Sequence, residues 1–436
     1  MDQYTNNSEI AVVGGGLAGL AAATYLARAG RTVTLFEKSA GTGGRAVSVC
    51  HDGFSFNMGA HALYKGSPAM QVLEELGISF TGGSPGLYKA AENGNLHLLP
   101  AGPLSLLRTG LLSPGDKLQL ARILASLQSM KPSRWQQVSL RDWLNGQTTS
   151  KDVRRLVEAV ARTTTYTYAP DQLSLGFLIE QLRLVLKGVV YVDGGWQTLV
   201  GGLSHAARNV GVHIRTGERV EAVTHAARSV TGVRLADGTH HAAGAVVVAA
   251  APRDLSRLVD EGQNCTLKEW ATRSVPVKAA CLDVALRRLP QPDNKIVVSV
   301  DRPLFLTTQS PYSRVAPDGQ ALVYTLRYLS PGENPDPQTI EHELESWLDT
   351  CQQGWRDELV HRRYLPNMVV SNAIVTAAAG GTAARPGPEV PGIAGLYAAG
   401  DWVGPVGNLA SATLWSAKLA ANLILTTTRH EAREAA

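Results

Sequence analysis

The chain is poor in cysteine, with only Cys50, Cys265, Cys281 and Cys351. These are widely spaced, form no CxxC pair and share no cluster with histidine, so no structural metal site is expected and a reducing, cytoplasmic setting is. Long hydrophobic runs are missing too. No apolar stretch reaches the roughly 18 residues needed to span a bilayer, and the polar start, Met1 to Glu9, predicts no signal peptide. The expectation is a soluble protein, or one that at most rests on a membrane surface. There is no extended Lys/Arg run, and a net charge of +4 argues against nucleic acid as a partner. Internal repeats and low-complexity tracts are absent as well. What remains is an ordinary globular balance, 44% hydrophobic and 18% charged. At 436 residues the chain exceeds what one core normally organises, so two domains are expected.

Ile10–Val13 is a short apolar run ending in Gly14-Gly15-Gly16, a buried strand entering a tight turn. Leu17–Ala29, rich in Ala and Leu and stopped at Gly30, predicts a helix, and Val33–Glu37 a second strand. Together they form a βαβ unit that begins a parallel sheet. The middle differs. Ser113-Pro114-Gly115-Asp116 reads as a helix start, with Leu120, Ile123, Leu124 and Leu127 as its apolar face. Further helices are expected over Leu140–Asn145, Lys151–Arg162 and Leu173–Leu186. A helix at Thr198–Val210 and a strand at His213–Arg215 precede a hairpin of Arg219–Thr224 and Gly232–Leu235. A turn at Asp237-Gly238 and a buried strand, Ala245–Ala250, ending at Pro252 come next. Val277 to Leu329 is mostly strand, clearest at Ile296–Val300 and Ala321–Leu329, and a helix near Ile340–Cys351 follows. Gly381–Pro391 reads as a surface loop, Leu396–Ala399 as a strand and Ala410–Leu425 as the closing helix.

The fold class expected is α/β. A discontinuous Rossmann-like domain is drawn from residues 1–90, 190–260 and 390–436. It joins a mixed-sheet substrate domain, 261–389, and an inserted helical subdomain, 91–189.

Gly14-x-Gly16-x-x-Gly19 sits between the first strand and helix, the context that gives this spacing meaning. Its glycines allow a tight turn, close approach of a pyrophosphate and close helix–sheet packing. The helix N-terminus, through Leu17 and Ala18, offers free N–H groups to phosphate. Glu37, 18 positions after Gly19 at the end of the next strand and followed by Lys38, can accept both hydroxyls of a ribose. These residues predict a dinucleotide.

The segment Gly41-Thr42-Gly43-Gly44-Arg45 specifies which one. It resembles the flavoprotein superfamily of amine oxidases, protoporphyrinogen oxidases and phytoene desaturases, which carry Gly-Gly-Arg shortly after the acidic residue. The resemblance implies a GR2-type FAD domain with Arg45 near the pyrophosphate. It continues through Gly53-Phe54-Ser55-Phe56-Asn57-Met58-Gly59-Ala60-His61, the stretch that in the family passes beside the isoalloxazine ring. Asp193-Gly194-Gly195-Trp196 and Glu218-Arg219-Val220 resemble the central segment, where the backbone at Val220 inherits the adenine contact. Leu396-Tyr397-Ala398-Ala399-Gly400-Asp401 resembles the closing motif, with Asp401 near the ribityl chain or pyrophosphate. N–H groups near Leu409 and Ala410 would then meet the flavin pyrimidine edge. The flavour is nearest to the bacterial phytoene-desaturase-like branch. There is no second strand-associated GxGxxG, so a built-in NAD(P)H domain is not expected, and oxygen or quinone is the expected electron acceptor. The segment Gln352 to Gly400 holds no cysteine, so the implied FAD is non-covalent.

The resemblance implies an FAD-dependent oxidoreductase that removes hydride from an apolar, isoprenoid-like molecule. A flavin amine oxidase or heterocycle oxidase is the alternative, and a redox-neutral or lipid-binding protein of the same fold is a further one. Lys278 falls where amine oxidases place a water-holding lysine near flavin N5, but equally reads as an exposed residue opening a strand. His61 reads either as a flavin-lining acid–base group or as a packing histidine. Tyr166 and Tyr168 read as cavity lining or as core. The leucine-rich Leu104–Leu112 reads as core, or as an apolar mouth in peripheral membrane contact, with Arg108, Lys117 and Arg122 near anionic headgroups.

Overall fold

The computed structural model describes residues 9–86 and 88–434. A parallel sheet of five strands is drawn from the beginning, middle and end of the chain. Its order is His213–Thr216, Val33–Glu37, Ile10–Val13, Ala245–Val248 and Leu396–Ala398. Every neighbouring pair runs parallel. The central strands carry apolar residues on both faces because helices cover both sides. Val246, Val247 and Val248 are fully buried, and each such side chain stabilises by about 1.5–3 kcal/mol. The helix Leu17–Arg28 and the closing helix, Leu409–Glu434, share the core on one face.

A second, mixed sheet has seven strands. Its order is Leu359–Ser371, Val277–Leu286, Ala321–Leu329, Leu304–Thr308, Ile296–Ser299, Lys89–Glu92 and Asn95–Leu98. One face packs on the helix Pro337–Cys351 through Leu344, Trp347 and Leu348. The other packs on the helices Pro114–Ser129, Leu140–Gln147, Lys151–Thr165 and Leu175–Val185. Ser113, Ser139, Ser150 and Ser174 cap these helices, each side chain accepting from an amide in the first turn.

Several expectations need correction. The strand Leu359–Ser371 was not anticipated. It lacks period-two alternation and contains Pro366, which is tolerated because the strand is at the sheet edge and its pairing slips between Ala279 and Cys281. Pro252 ends no strand directly but opens the helix Pro252–Leu258. The hairpin strands are longer than expected, Val220–Ala226 and Ser229–Leu235. They meet at Ala227-Arg228, both at positive φ (49° and 65°), without the usual Gly or Asn. The segment at Gly381 is not simply surface loop, since Gly381 and Thr382 are buried in a short 3-10 turn. The leucine-rich connector divides in two. Leu111 and Leu112 are core, whereas Leu104 and Leu107, on the short helix Pro103–Arg108, are 59% and 73% exposed.

Candidate cofactor and substrate site

The strand Ile10–Val13 delivers the chain into Gly14 at φ +105°, where a Cβ would stand 2.6 Å from the Ala249 carbonyl oxygen. A Cβ on Gly19 would fall 1.9 Å from the Gly14 carbonyl oxygen, so the helix can approach the sheet only with glycine there. In front of Gly16 the space is open: a Cβ would meet nothing nearer than the Gly43 carbonyl oxygen at 4.0 Å. No side chain caps the helix, and the Leu20 amide is the first to reach a helical carbonyl, Gly16, at 3.0 Å. The amides of Leu17, Ala18 and Gly19 are therefore left at the helix end. Gly43 closes onto this turn, its amide donating to the Gly15 carbonyl at 2.8 Å.

Glu37 is buried. Its Oε2 accepts from the Gly15 amide at 2.7 Å and its Oε1 from the Ser39 amide at 2.8 Å. Each oxygen retains a lone pair for a diol. The Glu218 amide donates to the Glu37 carbonyl at 3.0 Å, and Val220, two residues on, is buried at the start of its strand. Lys38, by contrast, is exposed. Arg45 crosses to the end of the chain. Its Nη1 donates to Asp401 Oδ2 at 2.8 Å, while 44% of its side chain stays open. Asp401 is sealed and also accepts from the Asn372 amide at 3.1 Å and Asn372 Nδ2 at 2.8 Å. Burial pushes its carboxyl up, but the Arg45 charge and these hydrogen bonds outweigh that and hold it below the usual carboxylate range. Gly400 is tied to the closing helix through Ser416. At that helix's start Leu409 sits at φ +49°, which costs a non-glycine residue about 1–2 kcal/mol. Leu409 and the adjacent Ala410 are half-buried.

Met58, Gly59, Ala60 and His61 run from the strand Phe54–Asn57 toward the mixed sheet. Behind Gly59, at φ +76°, stand Cys281 and Met368, whose atoms would lie 3.1 and 2.6 Å from a Cβ there. His61 lies edge-on to Trp196, ring centroids 4.7 Å apart. Its Nδ1 is 3.0 Å from the Gly59 carbonyl oxygen, which can only accept, so Nδ1 carries the proton. Burial holds the imidazole below its usual pKa, against the opposing pull of the Gly59 and Arg45 backbone carbonyls. His61 lines a cavity of about 70 Å³ together with Tyr64, Tyr88, Tyr166, Tyr191 and Gln309.

Lys278 is not brought to this group. Along Val277–Leu286, Ala279 and Cys281 face the helical side, whereas Ala280, Leu282 and Val284 face the helix Pro337–Cys351. Alternation puts Lys278 with the second set. Tyr168 does not line the cavity either; it packs beneath the Arg162 guanidinium, 5.3 Å from its ring centroid.

The family described as flavin containing amine oxidoreductase matches residues 17–425. The chain belongs to this family. Its cofactor is FAD, and the open front of Gly16, the free helix-end amides, the spare lone pairs of Glu37 and the half-open Arg45 all suit a dinucleotide. Among curated relatives, a mitochondrial protoporphyrinogen oxidase of Nicotiana tabacum is 34% identical over 123 residues, 27% of this chain and 24% of that protein. A phytoene desaturase of Fusarium fujikuroi is 25% identical over 271 residues, 53% of this chain and 47% of that one. These matches thus span between about a quarter and about half of the relatives' lengths. The solved structure of an oxidoreductase from Methanosarcina mazei has the same fold, with a TM-score of 0.78 at 20% identity, over 96% of this chain and 100% of that one.

In this flavin oxidoreductase a buried network that the sequence did not reveal grips the segment before Gly59. The Asn57 amide donates to Tyr324 Oη at 3.0 Å and Asn57 Nδ2 to Gln309 Oε1 at 3.1 Å. Gln309 Nε2 donates in turn to the His61 carbonyl at 2.7 Å. Arg363 donates to the Asn57 carbonyl and pairs with Asp283 at 2.7 Å. Burial pushes the Asp283 carboxyl up to about 7, against the opposing pull of Arg363. Only Asn57 and His61 had a signal in sequence, their place in the Gly53–His61 stretch.

Proposed function

We propose that the protein is an FAD-dependent desaturase or dehydrogenase that removes hydride from an apolar small molecule held in the cavity beside His61, with oxygen or a quinone as the final acceptor. The observation that carries this is the character of the wall: aromatic, aliphatic, threonine and glutamine side chains surround a histidine whose pKa burial lowers, and no Asp, Glu, Lys or Arg lines the cavity among the described residues. Such a wall does not compensate a fixed negative charge, so a carboxylate would enter at a large desolvation cost.

When bound, the flavin supplies the acceptor for two electrons as hydride. The chain contributes position and proton handling. Cys281 and Met368 behind Gly59, with the Asn57 network, fix the segment that carries His61. Its imidazole is the group at the cavity wall that can take the proton leaving as the substrate loses hydride from carbon. Lys278 has no part in this reading. The relatives named phytoene desaturase support an apolar substrate.

Membrane delivery belongs to the same reading. No helix among the described residues is long and apolar enough to cross a membrane. Yet Leu104, Leu107 and Leu186 are exposed, and Leu186 directly follows Val185 of the cavity wall. Arg108 and Arg122 are exposed in the same subdomain.

The test is anaerobic mixing of the flavin-loaded protein with polyenes, primary amines and porphyrinogens, watching the visible flavin band. Bleaching by apolar polyenes, those bearing a neutral oxygen included, and not by the other two classes is expected. Bleaching by amines, with none by apolar substrates, would replace this reading with that of an amine oxidase.

A further inference from the structure

The cavity contains one residue whose backbone is held against its preference. Tyr166 ends the helix Lys151–Thr165 at φ 59° and ψ 7°, the left-handed region that favours glycine. A bulky aromatic side chain is rarely found there, and such outliers persist where the surroundings over-determine them, commonly at ligand sites. A glycine would end the helix without strain. The strained geometry directs the Tyr166 ring onto the cavity wall, edge-on to Tyr328 with centroids 6.2 Å apart.

The hydroxyls around it divide by use. Tyr191 Oη is 2.9 Å from Thr307 Oγ1, and Tyr64 Oη donates to the Thr164 carbonyl at 3.2 Å. Both are occupied by protein. The Tyr328 hydroxyl is sealed away beside Thr163. The Tyr166 hydroxyl has no hydrogen-bond partner among the described residues, but it is not among the sealed atoms. Tyr166 lines the cavity, so this hydroxyl is a donor without a protein partner on a residue of the cavity wall. Tyr88 also lines the cavity with an uncommitted hydroxyl, but its backbone is relaxed. Burial raises the Tyr166 pKa well above that of free tyrosine, so it stays protonated and able to donate.

We infer that Tyr166 is a specificity-determining residue that donates a hydrogen bond to an oxygen acceptor on an otherwise apolar, uncharged substrate. The class is an oxygen-bearing neutral lipid, such as an isoprenoid alcohol or ketone, rather than a pure hydrocarbon, a carboxylate or an amine. This rests on the reading of the cavity as the substrate site. A site built to hydrogen-bond an oxygen discriminates against the analogue without it, because the polar group is then left unpaired in an apolar surrounding.

The test uses the flavin-loaded protein and two probes of equal skeleton, farnesol and farnesene, titrated while the visible flavin spectrum is recorded. Wild type is expected to bind farnesol about tenfold more tightly than farnesene, the scale of one hydrogen bond of ~1.4 kcal/mol. Tyr166→Phe keeps the ring and the packing. It should bind farnesol as weakly as farnesene, with farnesene affinity, flavin content and thermal midpoint unchanged. If Tyr166→Phe retains the preference for farnesol, or wild type binds both probes equally or neither, the assignment to Tyr166 is wrong. Loss of the preference in Tyr88→Phe together with its retention in Tyr166→Phe moves the role to Tyr88 and overturns the proposal. Flavin content separates this from the broader reading, since a protein without FAD fails as an oxidoreductase whatever Tyr166 does.

Discussion

Replacing Asp401 with alanine removes one buried carboxylate and strands three donors at once. Asp401 is 1% exposed and accepts from Arg45 Nη1 at 2.8 Å, the Asn372 amide at 3.1 Å and Asn372 Nδ2 at 2.8 Å. A hydrogen bond from a charged donor contributes about 1.5–3 kcal/mol and an ordinary one about 0.5–1.5. Removing one partner of a buried ion pair costs about 3–5 kcal/mol. Because 44% of the Arg45 side chain is open, the stranded guanidinium can hydrate, so the lower end, about 3 kcal/mol, is expected. The assay is urea unfolding of flavin-free protein at pH 7.5, followed by tryptophan fluorescence, so that cofactor binding does not enter. The pH dependence follows from the depressed pKa of Asp401. Its stabilisation is complete above the unfolded value of about 4 and is lost as pH falls through the folded value. The gap between wild type and Asp401→Ala should therefore narrow as pH is lowered from 5 toward 3. A loss under about 1 kcal/mol at pH 7.5, or a gap indifferent to acid, would refute the view of Asp401 as the ionised anchor joining Arg45 to the end of the chain.

Glu37→Ala should weaken FAD binding by about 1.5–3 kcal/mol, roughly ten- to a hundredfold, read by flavin fluorescence titration; unchanged affinity would remove Glu37 from the ribose site. Asp283 titrates the opposite way to Asp401. Its folded pKa, about 7, lies above the unfolded value, so its contribution is greatest below about pH 4 and declines as pH rises toward 7. Asp283→Asn should lose that slope in urea midpoints measured from pH 4.5 to 7.5, and equal slopes would show that the group stays ionised. Leu104→Asp with Leu107→Asp should abolish co-sedimentation with anionic liposomes while changing stability by no more than about 0.5 kcal/mol. Wild type remaining in the supernatant would remove the membrane from the account.

The glycine cradle and the parallel sheet were legible because each signal was local. Gly14, Gly16 and Gly19 lie between a buried run and an Ala/Leu-rich helix, with Glu37 one strand further on. Asp401 could be placed for the same reason, just after the closing strand. What failed to show was long-range. Leu359–Ser371 has exposed and half-buried positions in no simple period and carries a proline, so neither alternation nor an apolar run marks it. With that strand unseen, the pairing of Arg363 with Asp283 and its grip on Asn57 could not be anticipated. Lys278 illustrates a different gap. Both faces of Val277–Leu286 are buried, so nothing in the local sequence says which face meets His61 and which meets the helix Pro337–Cys351. Tyr166 could be suspected as cavity lining, but its left-handed backbone is visible only in three dimensions.

The central claim is that the cradle around Gly16, Glu37 and Arg45 holds FAD, and the most direct measurement is the absorption spectrum of the purified protein followed by analysis of what heat denaturation releases. The account predicts a yellow protein that releases FAD, free in solution because no covalent bond retains it. A colourless protein that gains no bound-flavin signal when FAD is added would contradict it.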